Sequence, residues 1–131
     1  VYLLDTNICI YLLNGNKKIE KKIEKTGIFS IAITYTVLSE LYYGAFNSKR
    51  PDDNVERIDE FRKNLTVLKE NVDSSKYFGR IKSELKSKGN LIDDFDILIA
   101  SIALANDCTL VTNNEKHFKR IKELSILNWT K

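Results

Sequence analysis

Short apolar runs separated by helical patterns constrain this chain more than any other feature. Tyr2–Leu4, Ile28–Ile33, Thr66–Leu68, Thr109–Thr112 and Leu124–Leu127 each have the length and composition of a buried strand. The stretches between them repeat apolar residues at helical spacing. Strands that alternate with helices imply a parallel sheet covered on both faces, an α/β architecture.

The helices can be delimited from their ends. Thr6 or Asn7 is suited to cap a helix that runs to about Leu13, where Asn14-Gly15 stops it. Lys17–Lys25 places Ile19 and Ile23 on one face of a charged surface helix, closed by Gly27. Thr34 or Thr36 opens a helix to Phe46, with Val37, Leu38, Leu41, Tyr42 and Ala45 as its buried stripe. Pro51 opens the next, using Ile58, Phe61 and Leu65. Asp73–Lys88 carries Tyr77, Ile81 and Leu85, and Gly89 ends it. Asp93 or Asp94 begins a helix to Asn106, with Phe95, Leu98, Ile99 and Ile102 facing inward. Asn113–Arg120 holds a turn and a short helix. With 131 residues, one Pro and five Gly, residues 1–131 read as one domain without long linkers.

The residue inventory excludes several chemistries. His117 is the only histidine, and Cys9 and Cys108 form no C-x-x-C pair, so a cysteine/histidine zinc site is ruled out. Both cysteines sit among apolar neighbours and read as reduced core residues, which points to the cytoplasm. The opening run lacks a basic leader and is interrupted by Asp5, so it is not read as a signal peptide. No segment is long and apolar enough for a membrane span. A net charge of +3 is compatible with a polyanionic partner without requiring one.

Three acidic residues stand out. Asp5 follows the first apolar run directly, in LLDTN. In an open α/β sheet, ligands bind beyond the carboxyl ends of the strands, so a carboxylate there is placed to act. It is equally suited to cap the next helix. Glu40, in TYTVLSELYYGA, borders the stripe of Leu38 and Leu41. Thr36, Glu40 and Gly44 share one line at i, i+4, and Gly44 leaves open space beside the carboxylate. Taken alone, Glu40 reads as an exposed helical glutamate. Asp96, in DDFDILIAS, lies in the first turn of an apolar helix. Negative charge is favoured there, but one cap suffices. Asp93, Asp94 and Asp96 together repel one another unless a cation neutralises them. An oxygen-only site of this kind suits Mg2+ or Mn2+.

Four segments in order carry a family resemblance: LLDTNICIYLL, T-x-T-V-x-S-E-L, D-I-L-I-A-S-x-A-L-A and T-L-V-T-N-N-E-K-H-F, followed by L-x-I-L-N-W. Together they resemble a PIN domain, and most of all the VapC toxins of toxin–antitoxin pairs. The resemblance runs from Leu3 to Trp129 and is weakest between Asn47 and Gly89. It implies a three-layer α/β/α sandwich with a mainly parallel central sheet. It also implies an endoribonuclease dependent on Mg2+ or Mn2+, with Asp5, Glu40 and Asp96 as its catalytic and metal-binding acids. Many relatives carry a further Asp where this chain has Asn114, which leaves a second metal position open; Asp94 is a candidate to supply the missing charge. Thr6, Asn7 and Thr112 fall on motif positions and read as supporting hydrogen-bonding groups, with helix capping as the other reading of Thr6 and Asn7.

The expected partners follow from the same resemblance. They are an RNA substrate, a small VapB-like antitoxin filling the active-site groove, and a second copy of the chain in a homodimer. Tyr11, Leu12, Tyr42, Tyr43 and Phe46 are candidates for the groove, with core packing as the alternative. Lys116, Lys119 and Arg120, beside His117 and Lys122, could grip an RNA backbone or form a solvated last turn. His117 reads as a surface or packing residue. The acids do not distinguish a toxin from a nuclease of RNA processing or structured DNA, nor from a silent binding module that kept the fold.

Overall fold

The computed structural model describes residues Val1–Lys131. Five strands form one sheet: β1 (Tyr2–Leu4), β2 (Ile31–Thr34), β3 (Thr66–Leu68), β4 (Thr109–Val111) and β5 (Ile126–Leu127). Their order is β3-β2-β1-β4-β5, and every pairing is parallel. Between them lie α1 (Thr6–Leu13), α2 (Lys17–Thr26), α3 (Tyr35–Phe46), α4 (Pro51–Lys63), α5 (Val72–Ser87), α6 (Asp94–Ala105) and the short α7 (Glu115–Phe118). The α/β/α sandwich expected from the sequence is the fold observed.

Strands this short are held by burial rather than by length. Leu3, Leu4, Ala32, Ile33, Leu110 and Val111 are fully buried. The three inner strands, β2, β1 and β4, are therefore covered on their two faces, as parallel sheets require. The helices pack in pairs, α5 on α6, α3 on α4, and α1 on both α2 and α3. Cys9 and Cys108 are buried free thiols within this core.

Several boundaries differ from the sequence reading, each for a physical reason. Ile28–Ser30 is a 3-10 turn rather than the start of β2, and Phe29 is 97% exposed. Gly27, at φ 95°, turns the chain into this 3-10 turn, and β2 takes up its register with β1 only at Tyr2↔Ile31. Leu124 is buried in the core but precedes β5. On α6 the buried residues are Ile97, Ile99, Ala100, Ser101, Ile102 and Ala103, whereas Phe95 is about half exposed. The caps are Asp5 for α1, Thr34 for α3 and Asp93 for α6, each accepting a backbone N–H in the first turn.

Candidate active site

The sheet order reverses beside β1: β2 and β3 lie on one side, β4 and β5 on the other. Such a reversal opens a crevice at the carboxyl ends of the flanking strands, here β1 and β4. The first residue past β1 is Asp5, and the first past β4 is Thr112. They meet across the crevice, with Thr112 Oγ1 donating to Asp5 Oδ2 at 2.8 Å. The other carboxylate oxygen, Oδ1, accepts from the Thr6 backbone N–H at 2.8 Å. Asp5 therefore both caps α1 and lies at the strand end.

Asp5 is 6% exposed, and Thr112 is fully buried. Burial raises the Asp5 carboxyl above its ordinary pKa, and the bonds from Thr112 and Thr6 partly oppose that rise. An acid held in this way faces a ready crevice but resists ionising unless a positive charge joins it.

Helix α3 brings in the second acid. Glu40 Oε1 accepts from Thr6 Oγ1 at 2.7 Å, so Thr6, through its backbone N–H and its hydroxyl, ties Asp5 and Glu40 into one polar group. Thr6 thus acts as a supporting hydroxyl rather than as a cap. The third acid, Asp96, comes from the first turn of α6. Its carboxyl is pushed up to about 6, first by burial, then by the negative charges of Asp5 and Asp93. Glu40 adds to the rise, and His117 counters it. Asp96 therefore senses the charges of both other acids named from sequence.

His117 was not among the site residues expected from sequence, yet it faces this cluster. Its Nδ1 lies 3.7 Å from Asp96 Oδ2 and 2.8 Å from Asn114 Nδ2. Asn114 is fixed in turn by its backbone N–H, which donates to Thr112 Oγ1 at 2.9 Å. One chain of contacts so runs from Asp5 through Thr112 and Asn114 to His117 and Asp96. The available signal was its spacing, three residues beyond Asn114 on the helix that follows β4. The surrounding run KHFKR masked it by reading as surface.

Other expected residues fall elsewhere. Asp94 is exposed and paired with Lys82 of α5 at 3.0 Å, so it does not replace the missing acid; Asp93 is the neighbour whose charge reaches Asp96. Asn7 is exposed on the first turn of α1. Arg120 Nη1 donates to the backbone carbonyls of Asn90 and Leu91, both at 3.1 Å, and so fastens the loop before α6. Lys116 and Lys119 are exposed on and just beyond α7. Leu12 and Tyr42 pack against the core, whereas Tyr43 and Phe46 stand 72% and 66% exposed on α3. Tyr11 accepts a hydrogen bond from Asn113 Nδ2 through its hydroxyl.

The donors at the crevice suit a hard divalent cation. They are oxygen atoms from three acids, and the burial and neighbouring negative charge that lift Asp96 are what a cation would offset. Asn113, at the end of β4, also holds a buried Oδ1 without a hydrogen-bond partner. No three acidic, histidine or cysteine groups close on one point as ligands. A cation held by one or two carboxylates, with water completing its shell, fits this set, and Mg2+ is commonly bound in that way.

Comparison with known proteins places this geometry. A PIN domain family model matches residues 2–124. The ribonuclease VapC2 of Rickettsia felis is 40% identical, aligned over 100% of this chain and 99% of its own length. The tRNA(fMet)-specific endonuclease VapC of Shigella flexneri is 30% identical, with 98% of each covered. Among solved structures, the crystal structure of VapBC2 from Rickettsia felis bound to a DNA fragment from their promoter superposes with a TM-score of 0.91 at 39% identity, covering 98% of both chains.

Proposed function

Given that the chain belongs to the PIN domain family and within it to the VapC ribonucleases, we propose that it is the toxin of a toxin–antitoxin pair and cleaves RNA with Mg2+ or Mn2+ at Asp5, Glu40 and Asp96. The observation that carries this reading is the convergence of these acids where the sheet order reverses, with Asp96 pushed up to about 6 by burial and by the charges beside it. A cation bound there supplies positive charge beside the scissile phosphate and acidifies water.

The chain's own residues divide the remaining work. Thr112 and Thr6 hold the carboxylates of Asp5 and Glu40 in fixed directions. Asp96 approaches from the opposite element, so the phosphodiester is received between α1, α3 and α6. His117, steadied by Asn114, offsets part of the negative charge at Asp96. Lys116 and Lys119 attract the RNA backbone toward the crevice, since phosphate contacts need only positive charge nearby.

The partner is a VapB-like antitoxin that covers this groove, and Tyr35, Tyr43 and Phe46, all exposed on α3, give it apolar surface to cover. A homodimer in the cytoplasm completes the proposal; no helix is long and apolar enough to cross a membrane. The test is cleavage of folded cellular RNAs by antitoxin-free protein, with Mg2+ or Mn2+, with chelator, and with Asp96→Asn. Discrete cuts that vanish with chelator and with the variant are expected. Cleavage that survives either change removes the acidic metal site from the reaction.

A further inference from the structure

A cavity of about 190 Å3 opens between α1, α3 and α4, and Glu40 forms part of its wall. Its apolar sides come from Ile10 and Leu13 of α1, Leu41 of α3 and Ile58 of α4. Asn14 and Arg57 bring polar groups to it. The cavity thus continues the space beside the acidic cluster and differs from it in chemistry, having apolar walls and hydrogen-bond donors.

Gly44 lines this cavity. It lies inside α3, four residues after Glu40, where glycine costs about 1 kcal/mol relative to alanine. Its backbone does not require glycine, since the positive-φ glycines are Gly15, Gly27 and Gly89. Packing does not require it either: a Cβ built on Gly44 would meet no atom within 4 Å. A larger side chain at this position would therefore project into the space beside Glu40 without first meeting another residue.

Arg57 supplies the recognition group. One guanidinium nitrogen donates to the Leu13 carbonyl and another to Asn54 Oδ1, which fixes the planar head in place. A guanidinium has five N–H groups, so donors remain for a ligand. A planar ring with acceptors along one edge satisfies both the apolar walls and this fork. Among nucleobases, guanine presents O6 and N7 to an arginine in the bidentate pattern. Single-stranded RNA is read in this manner, through bases splayed out of the stack.

Resting on the ribonuclease reading above, we propose that this cavity is a nucleobase subsite that seats a guanine adjacent to the scissile phosphate and so sets where the RNA is cut. Two measurements test it. The first maps cuts in a randomised single-stranded RNA pool for the wild type, Gly44→Ala and Gly44→Leu. A guanine preference of about tenfold beside the cut is expected for the wild type. Gly44→Ala should retain it, and Gly44→Leu, which fills the cavity, should flatten it. An unchanged preference in Gly44→Leu overturns the subsite while leaving the ribonuclease intact.

The second measurement needs no cleavage. The four nucleoside 5′-monophosphates are titrated in chelator while the backbone amide resonances of Asn14, Gly44 and Arg57 are followed. Guanosine monophosphate should shift them most, and Gly44→Leu should abolish the shift. Equal shifts from all four, or none, overturn the guanine assignment. If the wild type cuts no RNA, the ribonuclease reading fails, and this titration still decides whether the cavity takes a base.

Discussion

Asp96 holds a carboxylate where its surroundings resist a negative charge. Its folded pKa of about 6 lies above the ordinary value of 3.8, so the folded state binds the proton more tightly than the unfolded chain. Stability from this group is gained as pH falls from above 6 toward 4 and is lost as pH rises through 6. At neutral pH the ionised group opposes folding by up to about 3 kcal/mol. Asp96→Asn should therefore abolish cleavage and stabilise the metal-free protein, with Tm rising by several degrees at pH 7.5. The gain should shrink to nothing near pH 4, where wild-type Asp96 is neutral. Thermal unfolding of both proteins across pH checks this, and a gain independent of pH would show that charge is not its cause. Thr112→Val probes the opposite end of the cluster. It keeps the shape but removes the hydroxyl that donates to Asp5 and accepts from Asn114. A loss of about 1–3 kcal/mol in stability is expected, together with weaker cleavage, because two buried polar groups lose their partner. Chemical denaturation and a cleavage assay on the same variant measure both.

Helix α7 and its flanks separate two kinds of basic residue that look alike in sequence. Arg120 is anchored through Nη1 to the carbonyls of Asn90 and Leu91, whereas Lys116 and Lys119 face solvent without such an anchor. Replacing both lysines with alanine should reduce the slope of log affinity against log salt by about 1.4, at roughly 0.7 per phosphate contact on a single strand. Arg120→Ala should leave that slope alone and lower stability instead, by about 1–2 kcal/mol. Binding of an inactive Asp96→Asn background to single-stranded RNA at several salt concentrations distinguishes the two. The same segment shows what sequence could and could not convey about elements. Helix ends were legible because they depend on local chemistry: Gly15 and Gly89 follow their helices with φ of 82° and 65°. Strand ends were less so, because they depend on the partner. Ile28 and Phe29 have strand composition, but after Gly27 at φ 95° they form a 3-10 turn, and pairing with β1 begins only at Ile31. His117 was missed for a related reason, since its neighbours along the chain are charged while its neighbours in space are Asp96 and Asn114.

At the scale of the whole molecule, the site exists because the sheet order reverses. Asp5, Glu40 and Asp96 come from the starts or middles of three different helices, and the topology brings them to one crevice. Motif order nominates these three acids, and the fold brings them together. Their mutual repulsion was legible only in part, because the sequence places Asp93, Asp94 and Asp96 together but does not reveal that Asp94 turns away to Lys82. A fold that assembles repelling acids has a consequence for stability as a whole. A cation bound to the folded state alone should stabilise it by RT ln(1 + [L]/Kd), about 2.7 kcal/mol at one hundred times Kd. The proton competes for the same carboxylates, so the effect depends on pH. Adding Mg2+ or Mn2+ should raise Tm at pH 7.5, where Asp96 is ionised, and do little at pH 5, where the proton occupies it. Asp96→Asn should show a small cation effect at both values. Differential scanning calorimetry of the RNA-free protein reads this without any cleavage. A Tm that stays fixed under millimolar Mg2+ and Mn2+ at pH 7.5 would mean that the acids do not gather a cation until substrate arrives, and that the phosphate itself completes the site.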